Sequence, residues 1–228
     1  MNRHLHRVIF NAARGMRMVV QETAGTTGRA GRQATASAAA LLGVFTALAA
    51  QAQIAGDPQA PGSQRPTVLV APNGVPLVDI TTPSAAGVSG NTYQQFDVGA
   101  AGAILNNSRT NVQSQLGGWV QGNPWLATGS ARVIVNEVRS ANPSQLRGHV
   151  EVAGARAEVI IANPAGIQVD GGGFINASRA TLTTGVPQYN AAGGLDGFLV
   201  RGGTVGIEGA GLDVSKTDYA AILARAVQ

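Results

Sequence analysis

The stretch from Arg147 to Gly185, RGHVEVAGARAEVIIANPAGIQVDGGGFINASRATLTTG, constrains the fold more than any other. Apolar residues alternate with polar or small ones at Val150/Val152, Ile167/Val169 and Ala180/Leu182, the period of a strand with one face buried. Each run is only a few residues long. Between the runs lie Gly154, Asn163-Pro164-Ala165-Gly166, Gly171-Gly172-Gly173 and Gly185, residues that turn a backbone at little steric cost. In the tetrapeptide, Asn suits position i of a type I turn, Pro pre-sets position i+1, and Gly is favoured at i+3. Short strands and tight corners with no helical period predict an all-β chain coiled as a right-handed parallel β-helix.

The same grammar recurs elsewhere. Thr67 to Ile80 predicts two short strands around Pro72-Asn73-Gly74, and Ala131 to Val138 predicts another strand. Asn142-Pro143-Ser144 supplies a third Asn-Pro corner, and Gly197 to Val214 repeats the theme. Corners about every twenty residues suit coils of a β-helix. Gln53 to Arg65 has linker chemistry and predicts a disordered or extended lead-in, while Pro83 to Asn91 reads as loop. Tyr93 to Leu126 is more polar and predicts strands that are short or off the main coil. Trp119 and Trp125 within it are expected as buried cap or core indoles in preference to a binding platform, because the chain is otherwise poor in large side chains.

These residues carry a resemblance. NPAGI, Asn163 to Ile167, resembles the signature pentapeptide of the N-terminal secretion domain of filamentous-haemagglutinin-like exoproteins of two-partner secretion; NPWL, Asn123 to Leu126, resembles that family's second Asn-Pro motif. ARVIVNEV between the two motifs, VEVAGARAEVIIANPAGI, GGGFINASRATLTTG and then GLDVSKTDYAAILARAVQ also resemble the family in order, so the resemblance covers roughly Leu69 to Gln228. It implies a β-helix with an N-terminal cap over the open end of the coil and with extra-helical hairpins. It also implies β-structure for Asp218 to Gln228, which propensity alone would allow as helix. The residues it singles out for transporter recognition are Asn123, Pro124, Trp125, Leu126, Asn163, Pro164, Ala165, Gly166 and Ile167. Two positions depart from the family pattern, since Ala165 and Trp125 stand where Asn is usual.

The pI of 10.3 belongs to the front of the chain. Residues 1–52 hold six Arg and one Glu, and residues 53–228 hold nine Arg, one Lys and eleven acids, a net of −1. The latter part therefore has no electrostatic reason to bind nucleic acid. Ala36 to Ala50, ASAAALLGVFTALAA, is too short for a comfortable transmembrane helix and suits a signal-peptide core, and Ala50-Gln51-Ala52 gives the small-x-small cleavage pattern. Residues 1–52 are thus expected to be an extended, cleavable signal peptide, 53–66 a linker, and 67–228 the secretion domain. After cleavage no stable membrane insertion is expected. The absence of Cys excludes disulfides, zinc ribbons and thiol nucleophiles and is compatible with export.

No cofactor or metal site is legible. Asp170-Gly171-Gly172-Gly173 is a single instance of what calcium-binding β-helices repeat, Gly206-x-x-Gly209-x-Gly211 lacks the third glycine and helix of a dinucleotide loop, and His4 and His6 fall in the leader. A glycosidase needs two carboxylates facing one cleft, for which Glu151 and Asp170 on neighbouring coils are the nearest candidates. His149 is expected as a solvent-facing strand residue without an acid partner. Three functions remain open. The first, implied by the resemblance, is export by the general secretion machinery followed by recognition, still unfolded, by an outer-membrane β-barrel transporter with periplasmic POTRA domains. Strands such as Ala131 to Val138 or Val150 to Ala162 would then add to a sheet edge. The second is a module that itself binds host glycans or cells; the third is a polysaccharide-degrading enzyme. The first places the product outside a Gram-negative-type cell, at the front of a longer adhesin, haemolysin or contact-dependent toxin, or of a truncated gene.

Overall fold

The computed structural model describes residues 54–228 and, in the leader, the backbone of 6–11 and 16–21. The leader segments form one antiparallel hairpin, β1 (His6–Asn11) with β2 (Met16–Gln21), which the sequence reading did not foresee. The cleavage residues Ala50 and Ala52 and His4 lie outside the described residues.

From Ile54 on, the chain is a parallel β-helix. One sheet stacks β6 (Val88–Phe96), β10 (Val133–Val138), β13 (Ala157–Ala162), β15 (Ala177–Thr183) and β19 (Tyr219–Leu223) in parallel register. The other stacks β5 (Pro76–Asp79), β7 (Ala103–Asn107), β12 (His149–Gly154), β14 (Ile167–Ile175) and β18 (Thr204–Asp213). This second sheet is bent into two faces. The first half of β14 pairs with β11 (Ser144–Leu146) and the second half with β12, and the register shifts between Asp170 and Gly172. β20 (Ala226–Val227) continues the β11 side. Each coil thus has three sides: the β13 type, the first half of the β14 type, and its second half.

The rung length explains why the repeat was hard to register from sequence. Val133 pairs with Glu158, 25 residues on, and Val159 with Ala180, 21 on, but Ala180 pairs with Ala220 only after 40. The excess is an antiparallel hairpin inserted at a corner, β16 (Gly185–Tyr189) with β17 (Leu195–Val200). A smaller one, β8 (Val112–Ser114) with β9 (Gly118–Val120), lengthens the β7-to-β10 connection.

Alternation sets what lies inside. Ile134, Val159, Ala180 and Leu182 from one sheet meet Val150, Val152, Val169 and Phe174 from the other in a single buried core. Continuous apolar runs such as Val159-Ile160-Ile161 arise because both faces are covered. Ile160 and Val135 point outward and pack under Leu195 and Phe198 of β17, while Ile104 and Leu77 pack outward against Val120 of β9. Two buried amides enter the core with partners. Asn91 and Asn136 stand opposite one another on β6 and β10, and each donates Nδ2 to a carbonyl of the following coil, Val135 at 3.3 Å and Ile160 at 3.2 Å.

The N-terminal end is closed by antiparallel strands. β4 (Thr67–Val70) pairs with β5, as expected around the Pro72-Asn73-Gly74 turn. Of the segment expected as a disordered or extended lead-in, Ile54–Gly56 is extended as β3, antiparallel to β6 with Ile54 buried in the core, and Gly62–Gln64 form a 3₁₀ turn. The stretch read as loop to Asn91 becomes strand from Val88. β6, at nine residues, is longer than its polar sequence suggested. Thr81, Ser89 and Asn91 bond one another and nearby backbone, which lets these polar residues be buried.

Candidate functional site

Asn163 and Asn123 sit at different corners. The first lies between β13 and β14; the second lies on the path from β7 to β10, where it precedes a 3₁₀ turn at Pro124–Leu126. The two motifs are not brought together. Their local chemistry is nonetheless the same. Asn163 Oδ1 accepts from the Ala165 N–H at 2.9 Å, and Asn123 Oδ1 accepts from the Trp125 N–H at 2.9 Å. Asn163 O accepts from the Gly166 N–H at 3.0 Å, and Asn123 O accepts from the Leu126 N–H at 3.3 Å. The expected Asn-Pro turn therefore forms at both, each with its side chain mimicking a second turn. Gly166 has φ +123°, a backbone state that a side chain would strain.

What the sequence did not disclose is the use of the amide. Asn163 Nδ2 donates to Asn142 O and Ser144 Oγ, both at 3.0 Å, and Asn123 Nδ2 donates to Ile80 O at 2.9 Å and Asn106 O at 3.0 Å. Each Asn thereby ties its corner to the neighbouring coil. Both are buried, as are Leu126 and Ile167. Pro164 is exposed and Ala165 half-buried, so the outward surface of the NPAGI corner is small and apolar.

Trp119 and Trp125 correct the expectation of buried indoles, being 68% and 50% exposed. Trp119 stands on β9 opposite Gln113. Trp125 is held from both ends, its carbonyl by the Thr82 hydroxyl at 2.7 Å and its indole N–H by Thr67 Oγ1 at 3.1 Å. The NPWL corner therefore fastens the cap strand β4 to the first coil.

The candidates for chemistry disperse. Glu151 is buried, and its two oxygens accept the Gln115 and Leu116 N–H groups at 2.6 and 2.7 Å, anchoring the β8–β9 hairpin. Its register partner on β14 is Ile175, not Asp170, whose Oδ1 instead accepts from the Ala210 N–H. His149 does have an acid partner, contrary to expectation. Its Nε2 lies 3.3 Å from Asp213 Oδ2, across Gly173, in one register column. A Cβ on Gly173 would fall 2.6 Å from the imidazole, so the bare glycine is what lets His149 reach over. Asp213 is held at about 2 by the Ser215 hydroxyl and N–H and then by His149. A cleft of about 470 Å³ lined by Thr82, Ser84, Thr128, Ser130 and Arg132 holds no carboxylate or imidazole, so it offers no acid–base pair. Among the described residues no group of three or more His, Cys, Asp or Glu is placed to hold a metal ion.

Residues 52–228 match the family described as TPS secretion domain, and residues 1–51 match the extended signal peptide of the type V secretion system. The chain is 49% identical to Toxin CdiA of Yersinia pestis, with all of this chain and 7% of that protein covered. It is 48% identical to tRNA nuclease CdiA-2 of Burkholderia pseudomallei, with all of this chain and 8% of that protein covered. It therefore spans less than a tenth of the length of these curated relatives. Among solved structures, the crystal structure of the filamentous hemagglutinin secretion domain superposes with a TM-score of 0.69 at 41% identity, covering 76% of this chain and 56% of that one. Leader and domain together mark a secreted or cell-surface protein of a Gram-negative bacterium, and the matched region is a secretion domain, not a catalytic one. The chain belongs to the TPS secretion domain family, built on its β-helix behind an extended type V signal peptide.

Proposed function

We propose that this chain is the export-targeting front of a large contact-dependent toxin, cleaved after Ala52 and handed, still unfolded, to the periplasmic POTRA domains of a cognate outer-membrane β-barrel transporter. In this account residues 1–52 are removed and 53–66 lead into the domain of 67–228. The general secretion machinery moves the chain across the inner membrane, and the domain nucleates β-helix folding at the surface. Several relatives are named as tRNA nucleases, and this chain covers only 8% and 5% of two of them, so no nuclease activity is proposed for it.

The observation that carries this reading is burial. Asn123 and Asn163 are 2% and 0% exposed once folded, so a transporter would read their amides only in the extended chain. There Asn123, Pro124, Trp125 and Leu126, and Asn163, Pro164, Ala165, Gly166 and Ile167, are all accessible, and flanking strands such as Ala157–Ala162 add to a POTRA sheet edge. The test uses peptides, in which folded-state stability plays no part. A peptide spanning 150–169 is expected to bind the isolated POTRA domains, and Asn163→Ala with Pro164→Ala is expected to weaken it at least about tenfold. Equal binding of both peptides would reduce the motif to a corner and no more.

One observation favours a second reading, direct adhesion. Trp119 and Trp125 are open to solvent in the folded domain and free to stack on a sugar face. Trp119→Ala, at a position outside the recognition motif, would weaken cell or glycan binding on that reading and leave export unchanged.

A further inference from the structure

The β16–β17 hairpin leaves the coil after β15 and returns at β18, yet what it covers lies earlier in the chain. Gly90, Val135, Ile160 and Thr181 form one register column across β6, β10, β13 and β15 on the outward side of the sheet. Along that side Val88, Val135, Ile160 and Ala162 are buried, in a cluster separate from the core, beneath Leu195 and Phe198 of β17. The tip extends further. The Ser84 hydroxyl, ahead of β6, donates to Gly193 O at 2.8 Å, and a Cβ on Gly90 would lie 3.5 Å from the Tyr189 hydroxyl. The root is fixed at the other side, where the Gly185 N–H donates to Thr183 Oγ1 at 2.9 Å. The hairpin thus runs crosswise from β15 over β13 and β10 to β6. Pro187 on β16 removes a donor and blunts further strand pairing.

We propose that the β16–β17 hairpin is a clasp, closing over β6, β10 and β13 only after these coils have stacked and then holding them while the chain beyond Val200 is still arriving. A hairpin of this size has little stability alone, so its closure depends on the apolar shelf that three completed coils provide. Closure in turn buries Val135 and Ile160, which open coils would leave in water. For a chain that exits unfolded, the device makes folding of the first coils hard to reverse once residues up to 200 are outside. The functional sense rests on the export reading; the clasp itself does not.

Hydrogen exchange on the exported, purified chain tests it. Leu195→Ser with Phe198→Ser is expected to accelerate exchange of the β6 and β10 amides about tenfold or more, with β18 and β19 changed less than about twofold. Acceleration confined to residues 185–200, or spread evenly over every coil, would overturn the clasp. Should the double variant not fold, Phe198→Leu and Ser84→Ala keep the shelf covered and are expected to give a smaller acceleration centred on β6. No acceleration there would also overturn it. Export that proceeds without a transporter would overturn the export reading and leave the exchange result standing.

Discussion

Asn123 and Asn163, at different corners of the coil, make the same pair of bonds: Oδ1 takes the N–H two residues on, and Nδ2 reaches the neighbouring coil. A short motif thereby serves as turn and staple at once. Asn163→Ala leaves Asn142 O, Ser144 Oγ and the Ala165 N–H without this partner in a buried corner, and is expected to cost about 1–3 kcal/mol. Asn163→Asp keeps the acceptor for Ala165 but sets a carboxylate oxygen against the Asn142 carbonyl, so it should destabilise too. Urea midpoints of the purified domain check both.

Glu151 is the polar peg of the smaller hairpin. Glu151→Gln keeps one acceptor oxygen but removes the charge and turns an NH₂ toward a backbone N–H, with an expected loss of about 1–3 kcal/mol. The readout that separates this from general weakening is faster exchange at Gln115 and Leu116 than at β13.

Much of this architecture was legible in the sequence, and the misses have physical causes. Alternation, the Asn163-Pro164-Ala165-Gly166 corner and the glycines of residues 147–185 were enough for strands and turns, because a coil with one face inward imposes period two and tight corners. The rung length was hidden because the β8–β9 and β16–β17 hairpins interrupt the coil without changing the strand pattern. Composition argued for burying the two Trp, but nothing in it shows that β9 turns Trp119 outward or that Thr67 and Thr82 hold Trp125 at the surface. Ile54 was lost in a linker-like stretch, since one buried residue pairing with β6 leaves no period to detect. The amide bonds of the two Asn, and the His149 to Asp213 contact over Gly173, join residues distant in sequence and have no local signature.

Asp213 gives a pH dependence. Its folded value of about 2 lies below its ordinary 3.8, through Ser215 first and His149 after. A depressed carboxyl contributes stability that is present above 3.8 and lost as pH falls toward 2. Asp213→Asn should therefore lower the urea midpoint at pH 5, and by clearly less near pH 2, where much of the linked stability has been lost. Equal midpoints for the two proteins at pH 5 would remove the contact from the account.

Trp125 provides a contrast with the buried Asn two positions before it. Being half exposed, with one side-chain hydrogen bond to Thr67, Trp125→Ala is expected to shift stability by no more than about 1 kcal/mol. Thermal unfolding of the purified domain checks it.

The most direct measurement concerns where the chain goes. Residues 1–228 should be expressed in a Gram-negative host with and without the cognate outer-membrane transporter, and the processed product located by fractionation. The expected result is a mature chain outside the cell when the transporter is present and in the periplasm when it is absent. The same extracellular product without the transporter, or an unprocessed chain resident in the cytosol, would contradict it.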